Sequence, residues 1–214
     1  MIYKDWYIYQ HVYLAWIRSR ETKKYLNQIA QGEKPLFIHI NRTGGSSIAA
    51  GLDITAIHYT LEQYEQLWKQ RYKTELPLET PVVTAVRNPY DRTVSQYYYR
   101  LKHNQNNLSK LGLSFQDWLH EVHIAQNPAF RDREIMFMPQ KNWISSKRNY
   151  TVSFIRFEQL QQHYQAILGP YGIKPLPHKK ASDKPDFQRV LDEESRALIR
   201  QVYQEDFNTF SYQS

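Results

Sequence analysis

The sequence predicts an α/β protein: a central parallel sheet covered by helices on both faces, in three α/β/α layers. Three observations predict it. Short apolar runs rich in β-formers alternate with longer amphipathic runs, the order expected of strands and crossover helices in a parallel sheet. Two of those runs stop abruptly at loops of unusual chemistry, "NRTGGSS" after Ile40 and "RNPYDR" around Arg87. And 214 residues, 41% of them hydrophobic and 23% charged, are enough for a substantial core. Without an internal repeat or a low-complexity tract, a single domain over residues 1–214 is the expectation.

The N-terminal "MIYKDWYIYQHVYLAWIRSRETKKYLNQ" is aromatic and amphipathic. Lys4, Asp5 and Gln10 interrupt its apolar runs well short of the roughly 20 residues that a membrane span needs, and it has no secretory apolar region. Residues 5–30 therefore read as a helix inside a segment, 1–34, that packs on the domain, with peripheral membrane contact as the minor alternative. "PLFIHI" (Pro35 to Ile40) reads as a buried strand, and "SSIAAGL" as a helix start capped by Ser46 or Ser47. "ITAIHYT" (Ile54 to Thr60) reads as a second short strand. Thr60 with Gln63 forms a capping box that opens a helix to about Tyr72.

Pro81 to Val86 is the clearest strand, and Pro89 suits the first turn of the helix after it. Helical stretches are expected near 114–124 and 131–147. "YTVSFIRFEQLQQHYQAIL" is a third strand–helix unit that turns at Phe157-Glu158. The Pro- and Lys-rich "GPYGIKPLPHKKASDKPD" is a loop, and a last helix covers about 192–204.

The formal net charge of +7 suggests an anionic partner without choosing among phosphates, nucleic acid, an acidic glycan or a membrane surface. With no cysteine, disulfides, thiolate catalysis and Cys-based zinc sites are excluded, and a cytoplasmic location is the expectation. No HxxxH or HxE pairing appears among the eight histidines, so no metal is expected.

Ligands of an open parallel sheet sit beyond the carboxyl ends of its strands, and both unusual loops lie there. In "RTGGSS", Gly44 and Gly45 can take positive φ and let N–H groups face a ligand. A helix N-terminus follows, and Arg42, Thr43, Ser46 and Ser47 add a cation and hydroxyl donors. Everything in the loop donates, which suits an anion; the bland alternative is a strand–turn–helix loop that needs glycine for geometry. GxxxxGK[ST] is absent, which disfavours a conventional ATP or GTP site. Arg87 leaves its strand pointing a planar, bidentate donor into the crevice, and Ser95 follows two helical turns on. A buried salt bridge would leave the same trace for Arg87. Asp91 and Arg92 read as structural ion pairs. Tyr97, Tyr98 and Tyr99 point in different directions on a helix, so at least one is core, and no basic groove with dispersed aromatics suggests nucleic acid.

A strand ending in "HINRTGGSSI" and a later "AVRNPYDRTVSQYY" resemble the two signature elements of the sulfotransferases that use 3′-phosphoadenosine 5′-phosphosulfate (PAPS), especially the carbohydrate-type branch, whose first element reads HxPKTGGTS. "MPQKNWI", "SFIRFEQL", "LPHKKAS" and "VYQEDFNTFSY" resemble further segments in the same order, so the likeness spans about residues 35–212. The resemblance implies a P-loop NTPase-like sulfotransferase fold and transfer of a sulfuryl group from PAPS to an acceptor hydroxyl, most simply on a carbohydrate. The product left is adenosine 3′,5′-bisphosphate (PAP).

Carried over by position, Arg42, Thr43, Gly44, Gly45, Ser46 and Ser47 would wrap the 5′-phosphosulfate. Arg87 and Ser95 would bind the 3′-phosphate, and Lys180, or its neighbours Lys179 and Lys184, would close over the nucleotide. Asn41 replaces the usual proline and Arg42 the usual lysine, which in the family is thought to stabilise charge on the bridging oxygen. Arginine keeps that charge on a planar fork, as in phosphoryl transfer.

His58, in an H-x-T setting like that of many family members, is the candidate general base, and a half-buried structural histidine is the alternative. His178, then Glu62 or Glu65, are the weaker alternatives, and His39 reads as structural. Two other classes remain open: a catalytically silent polyanion-binding protein on the same fold, and a nucleotide or sugar kinase, against which the missing P-loop lysine speaks.

Overall fold

Three apolar runs become strands: β1 (Leu36–Ile38), β2 (Val82–Val86) and β3 (Val152–Arg156). The structure is a computed structural model that describes residues 14–176 and 190–213. The strands pair in parallel in the order β1-β2-β3, with Phe37 opposite Val83 and Thr84 opposite Phe154. β2 lies in the centre and is buried at every residue, which is why Val-Val-Thr-Ala-Val shows no polar alternation.

Ahead of β1 runs α1 (Leu14–Ala30). Between β1 and β2 lie α2 (Gly45–Gly51) and α3 (Leu61–Tyr72); α3 starts at the expected capping box of Thr60 and Gln63. After β2, α4 (Pro89–Lys102) has Pro89 in its first turn and Asn88 as its cap. It is followed by α5 (Leu108–Leu111), α6 (Phe115–His123) and α7 (Gln140–Trp143). Beyond β3 come α8 (Leu160–Leu168), α9 (Glu193–Val202) and α10 (Gln204–Thr209).

Side-chain alternation along β1 builds the layers. Leu36 and Ile38 face Tyr25, Leu26 and Ile29 of α1 and Leu61, Tyr64 and Trp68 of α3. Phe37 faces the other way, onto Ile48, Ala49 and Leu52 and onto Tyr164 and Leu168 of α8. A third cluster joins α4, α6, α9 and α10 through Tyr90, Val94, Tyr97, Trp118, Ile199 and Phe207. Among the described residues no helix is long and apolar enough to cross a membrane.

Several expectations are corrected. Residues 54–60 form no strand, because side chains already occupy the outer edge of β1. Tyr25 donates its hydroxyl to the Pro35 carbonyl and accepts from the Phe37 N–H, both at 2.7 Å, and the His58 ring bonds the His39 carbonyl at 2.8 Å. The stretch 131–147 is no helix but a 3₁₀ turn (Glu134–Phe137) and then α7, since Met138 precedes a proline and is extended. α2 is capped by Gly44, with Ser46 and Ser47 inside its first turn. The last helix breaks at Tyr203 into α9 and α10. Residues 5–13 of the expected first helix, and Lys179, Lys180, Lys184 and His178, lie outside the described residues.

Candidate functional site

The loop after β1 is shaped by two left-handed residues, Arg42 (φ 64°) and Gly44 (φ 83°). The positive φ expected of the glycine pair thus falls on Gly44 and on Arg42. Gly45 is helical, and it is needed for space: a Cβ there would meet His39 Cδ2 at 2.0 Å. Thr43 is fully buried and donates its hydroxyl to the Ile40 carbonyl (2.9 Å), stapling the turn. Ser46 is exposed and Ser47 half-buried; the Ser47 N–H returns to the Gly44 carbonyl (2.9 Å).

Asn41 anchors this loop to its surroundings. Its Nδ2 donates to Gln96 Oε1 and to the Met136 carbonyl, both at 3.1 Å, and its Oδ1 accepts from Arg92 Nη2 at 2.8 Å. Arg92 also donates to the carbonyls of Asn41, Met136 and Met138. Its role is structural as expected, but its hydrogen-bond partners are amide and carbonyl oxygens.

Held in this way, Arg42 projects onto α4. Its Nε and Nη2 donate to Ser95 Oγ at 3.1 and 3.0 Å, and its guanidinium lies 4.4 Å from the centre of the Tyr99 ring, one turn further on. Ser95 accepts from Arg42 and keeps its own O–H to donate. Of the three consecutive tyrosines, Tyr97 is core, Tyr98 is half-buried and Tyr99 is exposed beside Arg42.

Arg87 comes off the end of β2 into the same crevice. Its Nη1 donates to the Arg42 carbonyl at 3.3 Å, and its guanidinium stacks 4.1 Å over Phe157. Burial lowers its pKa to about 10, and the nearby Arg42 charge adds to this against the opposing pull of Asp91 and Glu158. Arg42 is lowered as well, again chiefly by burial. Two guanidiniums drawn partly out of water at one edge of the sheet favour anions beside them, since negative charge offsets what desolvation costs each.

Three residues that sequence reasoning did not select hold this edge in place. Gln140 bonds both main-chain groups of Arg87. Asp206 bonds Gln140, and Glu158 accepts from the Asn88 N–H (2.8 Å) at the start of α4 and from the Tyr212 hydroxyl (3.0 Å). They act across 53 to 70 residues of sequence, and the one signal for them is that each falls in a segment that carries the family resemblance: "MPQKNWI", "VYQEDFNTFSY" and "SFIRFEQL".

His58 and His39 stack with ring centres 4.2 Å apart, and His39 touches Gly45 on the way to the loop. Because the partner of His58 Nδ1 is a carbonyl, Nδ1 carries the proton and Nε2 presents a lone pair. Burial lowers the His58 pKa, opposed by that hydrogen bond, and the charges of Arg133 and Arg18 lower it further. His39 is driven to about 3, mainly by burial, and so stays neutral. Glu65 is occupied by the hydroxyls of Ser146 and Tyr150, and Glu62 lies exposed in the first turn of α3.

The structure therefore gathers Arg42, Ser95 and Arg87, with the Gly44–Gly45 turn, at the carboxyl edge of the sheet. It sets His58 one ring away. A family model described as "Sulfotransferase family" matches residues 19–213. No curated protein and no solved structure matches the chain.

Proposed function

This chain belongs to the sulfotransferase family, and we propose that it moves a sulfuryl group from PAPS to a hydroxyl of a carbohydrate acceptor, leaving PAP. One observation carries the reading: Arg42 and Arg87 converge with Ser95 on one crevice at the carboxyl edge of a parallel sheet. Those groups fit a nucleotide with two anionic ends. Arg87 and Ser95 would hold the 3′-phosphate, and Arg42 with the loop Thr43, Gly44, Gly45, Ser46 and Ser47 would hold the 5′ end, with Lys180 closing over the nucleotide. PAPS, when bound, supplies an activated sulfuryl group.

The chain's own part is to orient the nucleotide, to offset negative charge with preset cations, and to take a proton. His58 suits the last of these roles, since Nδ1 is tied to a carbonyl, Nε2 is free to accept, and burial keeps the ring neutral at pH 7.

The second reading is a polyanion binder that performs no chemistry. What favours it is that Arg42, which stands where the family pattern has lysine, rests on Ser95 and Tyr99. A transfer assay separates the two. Incubation with PAPS and a panel of neutral and acidic oligosaccharides should release PAP together with a sulfated product. Binding of PAP without transfer to any hydroxyl would favour the silent binder.

A further inference from the structure

Arg87 stands one residue past the last rung of β2, where Val86 pairs with Arg156. Its main-chain groups leave the ladder at the very residue whose side chain enters the crevice. A side-chain amide takes the place of the missing strand: Gln140 Oε1 accepts from the Arg87 N–H at 2.9 Å, and Gln140 Nε2 donates to the Arg87 carbonyl at 2.9 Å. The second hydrogen on Nε2 faces Asp206 Oδ2 at 3.3 Å. Asp206 also accepts from the main-chain N–H groups of Gln140 (2.8 Å) and Lys141 (2.9 Å), so a carboxylate on α10 ties down the first turn of α7.

Every hydrogen-bonding site of the Gln140 amide that faces these groups is used, which leaves one orientation. Flipping it would set NH₂ against N–H and oxygen against a carbonyl and a carboxylate. Gln140 and Asp206 are both 0% exposed, so water cannot replace what either loses.

We propose that Gln140 is a positioning residue that aims the Arg87 guanidinium at the 3′-phosphate, with Asp206 holding it from behind; this rests on the PAPS reading above. A planar fork recognises a phosphate bidentately only when its direction is set, and fixing both the N–H and the C=O of Arg87 sets the backbone from which that fork departs. A glutamine that merely filled space would leave the ratio of PAP to ADP affinity untouched.

The test is calorimetric titration with PAP and with ADP, which lacks the 3′-phosphate, on the unmodified chain, Gln140→Met and Gln140→Asn. Methionine keeps bulk without hydrogen bonds; asparagine keeps the amide but withdraws it by one methylene. In either variant the preference for PAP over ADP should fall about tenfold, the worth of roughly one charge-assisted hydrogen bond, with ADP affinity nearly unchanged. In turnover, KM for PAPS should rise with kcat retained. If Gln140→Met fails to fold by circular dichroism, Gln140→Asn carries the same readout. A folded variant that keeps the full preference, or loses PAP and ADP affinity in equal measure, would overturn the proposal. No preference in the unmodified chain would remove the 3′-phosphate site itself, and the clamp's purpose with it.

Discussion

Replacing Asn41 with alanine removes three buried hydrogen bonds at once, from Nδ2 to Gln96 and Met136 and from Arg92 to Oδ1. Arg92 keeps three carbonyls, so its loss is one charge-assisted bond, about 1.5–3 kcal/mol. Gln96 is left with no partner: its Nε2 already has none among the described residues, and truncation strips its oxygen too, for about 1 kcal/mol or more. The Met136 carbonyl keeps Arg92 and loses little. Allowing for non-additivity among neighbours, the total is about 3 kcal/mol. For a chain of this length that is a fall in Tm of about 6–12 °C.

Because the same loop carries Arg42, PAP affinity should fall in parallel. Thermal melts with and without PAP measure both effects. A fall under about 2 °C with PAP affinity intact would refute the claim that Asn41 anchors the anion loop, since no buried network of this size is lost so cheaply.

Further expectations concern the histidines. His58→Gln should cut kcat by about 10² to 10⁴ while leaving PAP affinity nearly unchanged, and equal losses in both would make His58 structural. Its pKa lies below the usual 6.5, so a base at this position stays active through pH 6.5 and the acid limb of kcat/KM falls below it. A midpoint above 6.5 would assign the base elsewhere. Stability should also fall in acid: burial holds His39 near 3 and His123 near 4, while the unfolded chain binds those protons from about 6.5 downward. The folded state is therefore favoured fully above that pH, and it loses up to about 1.4 kcal/mol per pH unit for each group as the pH drops from about 6.5 toward 4. Melts from pH 7.5 to 5 should show this slope, and His123→Phe should reduce it; a flat profile would contradict the buried neutral pair.

What the sequence revealed was local. β2 declared itself by an unbroken apolar run, α4 by Pro89, and α3 by the Thr60–Gln63 box, each decided within a few residues. The false strand at 54–60 has the right composition, but whether it pairs depends on the edge of β1, and Tyr25 had taken that edge from a helix earlier in the chain. The false helix at 131–147 ignored the constraint that Pro139 places on Met138.

The site divides in the same way. Arg42 and Arg87 stand at loops whose donor-rich composition suggests an anion, and Ser95 follows Arg87 two turns along α4. Asn41, Gln140, Asp206 and Glu158 matter only through partners up to 95 residues away, which no window along the chain can see. The positive φ of Arg42 is likewise invisible in a sequence that offers two glycines nearby to carry it.

Whether Arg42, Ser95 and Arg87 form a site for a nucleotide carrying a 3′-phosphate is tested most directly by calorimetric titration with PAP, ADP and ATP plus magnesium. Such a site should bind PAP at micromolar concentration and ADP much more weakly, with the difference lost in Arg87→Ala. Equal affinity for PAP and ADP, or a preference for ATP with magnesium, would contradict it.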